Sequence, residues 1–413
     1  MDLIVRNVQL ADQPPGRLLD IGVTGGRIAA LAPDLPAEAA VFDAGGRLAC
    51  GGLIETHIHL DKARLLERCP AEKGRTISPV RYVAPFKPQI TEDDVRARAE
   101  ATLRECLIHG TTRIRSHVEV DPGIALRGFD GVASLIADYR WAVDLELCVF
   151  PQEGLTNYPG VDELLVQALE KGVGKGVKAI GGAPRYDTDH PGQIRRIFEL
   201  AREYDLAVDL HLDFGNTPED LDVLLVCELT EQHRLGGRVT VGHMTKFSVM
   251  PPAELAPIAK RLADVGVHVT VLPATDLYLM GRDQEHSVRR GVADANFLLK
   301  HGVNCSLSSN NVLNPATPYG DCSLIRMANL QANLLQVGQP EELRDCFAML
   351  TERSARILNA RDYGIAVGNP ADIVVIDSPS PERAVAELRH PVAVFKHGRR
   401  TVTWHPAELT KPA

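Results

Sequence analysis

Two histidines one residue apart, His57 and His59, sit in the run Glu55-Thr56-His57-Ile58-His59-Leu60-Asp61. On a strand this spacing turns both imidazoles to one face, and neutral imidazoles are common ligands for divalent ions. His211 in Asp209-Leu210-His211-Leu212-Asp213 and His243 in Gly242-His243-Met244 end two further apolar runs. Histidines delivered together by several strand ends suit a shared metal that activates water. His117, in Arg115-Ser116-His117-Val118-Glu119, repeats the period-two pattern and reads as a buried histidine bonded to a carboxylate. His109, His233, His268, His286 and His301 fall in helices, loops or strand starts and read as structural or exposed.

The elements that must position these side chains alternate along the middle of the chain. Eight strand-like runs are expected at 53–60, 112–120, 145–152, 177–182, 207–213, 238–244, 268–273 and 304–309. Amphipathic stretches such as 93–108, 192–204 and 253–265 separate them, as crossover helices do in a parallel sheet. Eight such units predict an α/β fold, a (β/α)8 TIM barrel over 51–364, with the chemistry at the carboxyl ends of the strands. No dinucleotide-type glycine fingerprint follows any run, which argues against an open doubly wound sheet. Residues 1–50 and 365–413 carry short apolar strands too sparse to fold alone, so the two ends are expected to form one small discontinuous β-sandwich domain.

Composition narrows the class further. The chain has 413 residues, 45% hydrophobic and 24% charged, with a net charge of −9. That balance excludes a general nucleic-acid binder and a surface drawn to anionic lipid. The start, Met1-Asp2-Leu3-Ile4-Val5-Arg6, has no signal-peptide pattern, and no apolar run approaches about 20 residues. Cysteines 50, 69, 106, 148, 227, 305, 322 and 346 are scattered without a CxxC pair and read as buried thiols of a reducing cytoplasm. A symmetric homo-oligomer is expected from the size.

Longer stretches carry a resemblance. Ile54-Glu55-Thr56-His57-Ile58-His59-Leu60-Asp61, Phe150-Pro151-Gln152-Glu153-Gly154, Gly281-Arg282 with Arg289-Arg290-Gly291, Ser354-Ala355-Arg356 and the run 362–369 are similar to the cytosine deaminase branch of the amidohydrolase superfamily, which includes N-isopropylammelide isopropylaminohydrolase. The resemblance covers nearly the whole chain. It implies that His57, His59 and His211 ligate one divalent ion, Zn²⁺ or Fe²⁺, and that His243 stabilises the tetrahedral centre beside the activated water. It also implies that Gln152 bonds the polar edge of a heterocycle. Lys62 receives no role.

Two positions depart from the branch. Asn310 stands where an aspartate contacts the metal and takes a proton, and a carboxamide cannot act as a base near neutral pH. Phe214 stands where cytosine deaminase has a proton-shuttling glutamate. Asp213, two residues after His211, is expected on the barrel-facing side, either as the replacement base or as an acceptor that orients a metal-bound histidine, with Phe214 turned away. Asn311, Asp321 and Phe214 are taken as substrate contacts, and Asp187 and Glu153 as loop caps or further contacts. The expected activity is hydrolytic deamination or dealkylamination of a small nitrogen heterocycle such as an aminopyrimidine, aminotriazine or pterin. The alternatives are hydrolysis of a cyclic amide or ureide, and a non-catalytic metal- or ligand-binding homologue.

Overall fold

The computed structural model describes residues 1–413 except positions 12, 15, 37, 71–77, 406 and 411–413. Its centre is an eight-stranded parallel sheet in which each strand pairs with the next in sequence. The strands are Leu53–Ile58, Thr111–Glu119, Asp144–Phe150, Val177–Gly182, Ala207–Leu212, Val239–His243, Val267–Val271 and Cys305–Leu307. Each falls within or beside an expected run. Leu53–Ile58 and Val239–His243 are buried at every position, as strands covered on both faces must be. The barrel closes between its first and last strands through a parallel bridge from Ile58 to Asn310.

Crossover helices cover the outside, and their ends are legible in the chain. Helix Glu92–Ile108 starts at Thr91, whose side chain accepts from Asp94 N–H, and its first turn carries Glu92, Asp93 and Asp94 against the positive end of the dipole. Helix His190–Glu203 starts at Asp189, which accepts from Gly192 N–H. Helix Pro252–Val265 stops at Gly266, whose φ of 75° suits glycine. The apolar faces of these helices and the outer faces of the strands share one continuous core.

Both chain ends contribute to a second sheet. Its strands are Leu3–Leu10, Leu18–Thr24, Arg27–Ala32, Ala40–Asp43 and Leu48–Gly51 from the start, and Ile373–Ile376, Pro391–Lys396 and Arg399–Thr403 from the end. Leu48–Gly51 pairs antiparallel with Ile373–Ile376, so the ends are joined through the middle of this sheet. Its separate core includes Val5, Val8, Ile21, Val23, Ile373, Val375 and Phe395. Gly52 alone separates the sheet from the first barrel strand, and a Cβ there would lie 1.9 Å from Thr112 Oγ1. All eight cysteines are buried free thiols, and among the described residues no helix is long and apolar enough to cross a membrane.

One buried cation ties the sheet to the barrel. Lys396 Nζ donates to Asp372 Oδ2 at 2.6 Å and to Asp144 Oδ2 at 2.8 Å, where Asp144 opens the third barrel strand. Replacing Lys396 by alanine strands the largely buried Asp372 carboxylate. Lys396→Ala should therefore lower unfolding free energy by roughly 3–5 kcal/mol, seen as a fall in both thermal and denaturant midpoints. Unchanged midpoints would show that this pair carries no net stability.

Candidate active site

Four histidines meet at the carboxyl end of the barrel. His57 lies next to the end of the first strand with His59 just beyond it, His211 lies in the fifth, and His243 ends the sixth. His57 Nε2 and His211 Nε2 are 3.1 Å apart, and His59 Nε2 is 3.0 Å from the same His211 atom. Gly242 leaves room for this packing, since a Cβ there would lie 3.2 Å from His57 Cε1. The Nδ1 atoms of His57, His59 and His211 are buried without hydrogen-bond partners. Burial, reinforced by neighbouring imidazoles, holds His57 and His211 well below the usual histidine range. For His59, burial acts together with the Lys62 ammonium. All three are therefore neutral, the form that offers a lone pair to a metal.

His117 crowds the same group. Its ring stacks on His57 with centroids 3.7 Å apart, and its Nε2 lies 3.4 Å from Asp209 Oδ1. His57, His117 and His211 each bring one ligand atom within 4.8 Å of the others, so a histidine triad able to hold a metal ion is present. His59 also reaches this group, with the Nε2 atoms of His57 and His59 each about 3 Å from His211 Nε2. Contacts of that length approach the edge of a tetrahedron built on metal–nitrogen bonds of about 2.0–2.1 Å. Asp209 is fully buried, accepts from Arg115 Nη1 at 3.0 Å, and lies 3.8 Å from His57 Nδ1.

The barrel seam passes through the same point. Asn310 N–H donates to His57 O at 2.9 Å, and His59 N–H donates to Asn310 O at 2.8 Å. Asn310 has a φ of 59°, a left-handed conformation that asparagine and aspartate tolerate better than most residues. Its side-chain Oδ1 is buried without a partner, and the residue lines the cavity. Beside it, the Glu55 carboxylate accepts from His57 N–H and from Ser309 N–H, clamping the two strands together. Burial raises the Glu55 carboxyl to about 7 despite those bonds.

The cavity walls complete the site. His243 Nδ1 is 2.6 Å from Asp276 Oδ1, and Asp276 is fully buried. Phe214 meets His243 edge-on at 5.3 Å, so it lines the cavity and does not turn away from it. Gln152 Oε1 accepts from Lys62 Nζ at 2.8 Å, and Lys62 also pairs with Glu119 at 2.6 Å. Burial alone would raise Glu119, but the Lys62 and Lys87 ammonium groups outweigh it and hold the carboxyl at about 2. Asn311 lines the cavity, with its Oδ1 accepting from Asn314 Nδ2 at 2.7 Å.

Two expected site residues lie elsewhere. Asp213 Oδ1 accepts from Asp222 N–H and Oδ2 from Val223 N–H, so its carboxylate caps helix Val223–His233 and does not line the cavity. The fifth strand ends at Leu212 and Asp213 has a φ of 46°, so the alternation counted from His211 stops before reaching it. Asp321 is half exposed, accepts from Ser323 N–H and faces Arg326, outside the cavity. Asp187 binds Leu155 and Thr156 N–H as a loop brace, and Glu153 pairs with Lys87 at 2.6 Å. Asp276, Asp209, Glu119, Lys62 and Arg185 are the cavity-facing or supporting groups that spacing did not reveal. Lys62, three residues after His59, and Asp209 and Glu119, each two residues from a strand histidine, had a local signal, whereas Asp276 and Arg185 had none.

Residues 76–402 match the amidohydrolase family. N-isopropylammelide isopropyl amidohydrolase of Pseudomonas sp. (strain ADP) is 25% identical over 410 residues, covering 96% of this chain and 96% of that protein. Pterin deaminase of Rhizobium rhizogenes is 26% identical over 365 residues, covering 87% and 82% respectively. The structure of 5-methylcytosine deaminase from Klebsiella pneumoniae, liganded with phosphonocytosine, superposes with a TM-score of 0.92 at 26% identity, covering 99% of this chain and all of that one. The family match takes in most of the barrel and the later strands of the second sheet, and the chain therefore belongs to the amidohydrolase family, on its cytosine deaminase-like branch of metal-dependent hydrolases acting on carbon–nitrogen bonds.

Proposed function

We propose that this protein hydrolyses the bond between a ring carbon of a nitrogen heterocycle and its exocyclic amino or alkylamino group, using one divalent ion, Zn²⁺ or Fe²⁺, held by His57, His59 and His211. The observation that carries this reading is that the Nε2 atoms of His57 and His59 lie 3.1 and 3.0 Å from His211 Nε2 in the barrel mouth. Relatives named for ammelide, pterin and methylcytosine chemistry support the substrate class. Nitrogen and oxygen ligands suit both metals, and the partnerless Asn310 Oδ1 is a neutral oxygen donor beside the three imidazoles. When bound, such an ion supplies Lewis acidity that lowers the basicity needed to activate water.

Proton movement then falls to His243. With Nδ1 donating to Asp276, Nε2 carries the lone pair and takes a proton from the attacking water. The same atom returns that proton to the departing amine, so the leaving group exits neutral. Asp276 orients the ring and stabilises its charged form. Gln152, with its oxygen engaged by Lys62, offers its amide N–H groups to a ring acceptor. Phe214 supplies an apolar wall where a carboxyl would otherwise protonate a ring nitrogen. That wall favours a second reading, hydrolysis of a cyclic amide or ureide, in which no ring nitrogen needs an acid at this point.

Metal-loaded protein assayed against aminopyrimidines, aminotriazines, pterins and cyclic ureides should release ammonia or alkylamine, and His57→Ala or a strong chelator should abolish the release. Ring opening without amine would establish the second reading, and stoichiometric metal with no turnover would sink both. Asp276→Asn should lower kcat about 10–100-fold with little change in KM, whereas an unchanged kcat would remove His243 from the proton path. Asp213→Ala should cost about 1–2 kcal/mol of stability as a lost helix cap while leaving kcat untouched. A large fall in kcat at unchanged stability would return Asp213 to the chemistry.

A further inference from the structure

Three cationic side chains line the catalytic cavity, Lys62, Lys87 and Arg185. Two are matched by carboxylates. Lys62 lies 2.6 Å from Glu119, and Lys87 contacts Glu119, Asp121 and Glu153. Arg185 has no carboxylate at ion-pair distance among the described residues. It follows the fourth barrel strand, in the short turn Pro184–Tyr186, and is exposed at the cavity mouth.

Its guanidinium is nevertheless held in place. The Arg185 Cζ sits 4.8 Å from the centroid of the Phe214 ring, and Nη1 donates to Phe214 O at 2.8 Å. These contacts engage one face and one N–H. The rest of the planar fork has no protein acceptor among the described residues, leaving donors suited to bidentate recognition of a carboxylate. Phe214 in turn touches His243 edge-on at 5.3 Å. Two successive contacts, of 5.3 and 4.8 Å, therefore link the proposed proton-transferring imidazole to an unmatched guanidinium. Val80, Val83, Leu279 and Pro315 also line this cavity, and apolar walls strengthen such pairing by excluding water.

We propose that Arg185 forms an anion subsite, and that the substrate is a nitrogen heterocycle bearing a carboxylate on the side of the ring away from the cleaved bond. This rests on the reading that the cavity accepts a heterocycle, but it specifies a charge that reading does not contain. The ring lies along Phe214 with its reacting carbon near His243, and its carboxylate meets the Arg185 fork. Phe214, in place of a carboxylate, removes a negative charge that would repel such a substrate and provides the surface on which the guanidinium rests.

The test uses metal-loaded protein and matched pairs of deaminated products, each first checked for ring opening: uracil against uracil-5-carboxylate, and lumazine against lumazine-6-carboxylate. Calorimetry should give at least about 10-fold tighter binding of one carboxylated member over its parent, the scale of a charge-assisted hydrogen bond. Arg185→Gln should erase that preference while leaving the parent within about two-fold, Arg185→Lys should restore part of it, and added salt should weaken it. No preference in either pair, no binding by any of the four, or equal weakening of parent and carboxylate in Arg185→Gln would overturn the subsite. Because binding is read without turnover, an inactive panel would defeat the proposed reaction while leaving this measurement intact.

Discussion

The seam between the first and last barrel strands sets the geometry of everything around it. Side-chain hydroxyls carry its lower part: Thr56 Oγ1 bonds Ser306 Oγ and Ser308 Oγ at 2.8 and 2.7 Å, and Thr270 joins Ser306 at 2.9 Å. Above them the main chain takes over, with Asn310 bonded to His57 on one side and His59 on the other. The two histidines are thus fixed by the same bonds that close the barrel. Asn310 needs a left-handed backbone to present both its N–H and its C=O to the first strand. An aspartate would serve the backbone equally, so the amide changes the charge of the site while keeping its closure.

Charge around the imidazoles is balanced one layer out. Arg115 is fully buried, yet Glu146 at 2.7 Å and Asp209 at 3.0 Å match its guanidinium. Asp209 also faces His57 and His117, so the carboxylate beneath those rings is already engaged by Arg115. On the other wall, Glu119 is shared between Lys62 and Lys87. Low-dielectric surroundings make each of these pairs costly to break singly, which keeps Gln152 and the histidines in fixed positions. Burial thus leaves the histidines neutral at the floor and ties Lys62, Lys87 and Glu119 into one paired group on the wall.

Much of this was legible in the sequence wherever periodicity carried the information. His57, His59, His211 and His243 follow from strand runs whose ends converge in any parallel barrel, and Asn310 was visible as an amide in an acidic position. The two chain ends also read as partners, because short apolar runs at both termini cannot be buried separately. Legibility stopped where strands stop. Asp213 was misplaced because counting by twos assumes extended backbone, and residue 213 has left it. Asp276 lies in the short helix Pro273–Leu279 after the seventh strand and Arg185 in the turn after the fourth, where strand alternation predicts no direction and through-space contacts with His243 and Phe214 reveal them.

The two departures from the branch pattern act on the same quantity. In the proposed reading, a divalent ion held by neutral imidazoles beside a carboxamide would keep a charge that its own ligands do not compensate. The nearest acids, Asp209 and Asp276, sit behind the rings, and Glu119 is neutralised by two lysines. Phe214 removes the remaining acidic position from the wall beside His243. Among the described residues the cavity wall carries Lys62, Lys87 and Arg185, and Glu119 is shared between the two lysines. On the proposed reading, an anionic ring would be drawn in and oriented with its charge toward Arg185. The missing carboxylates thus describe a selective cavity better than a decayed one, since losing catalysis alone would not require the apolar ring and the arginine to be placed against each other.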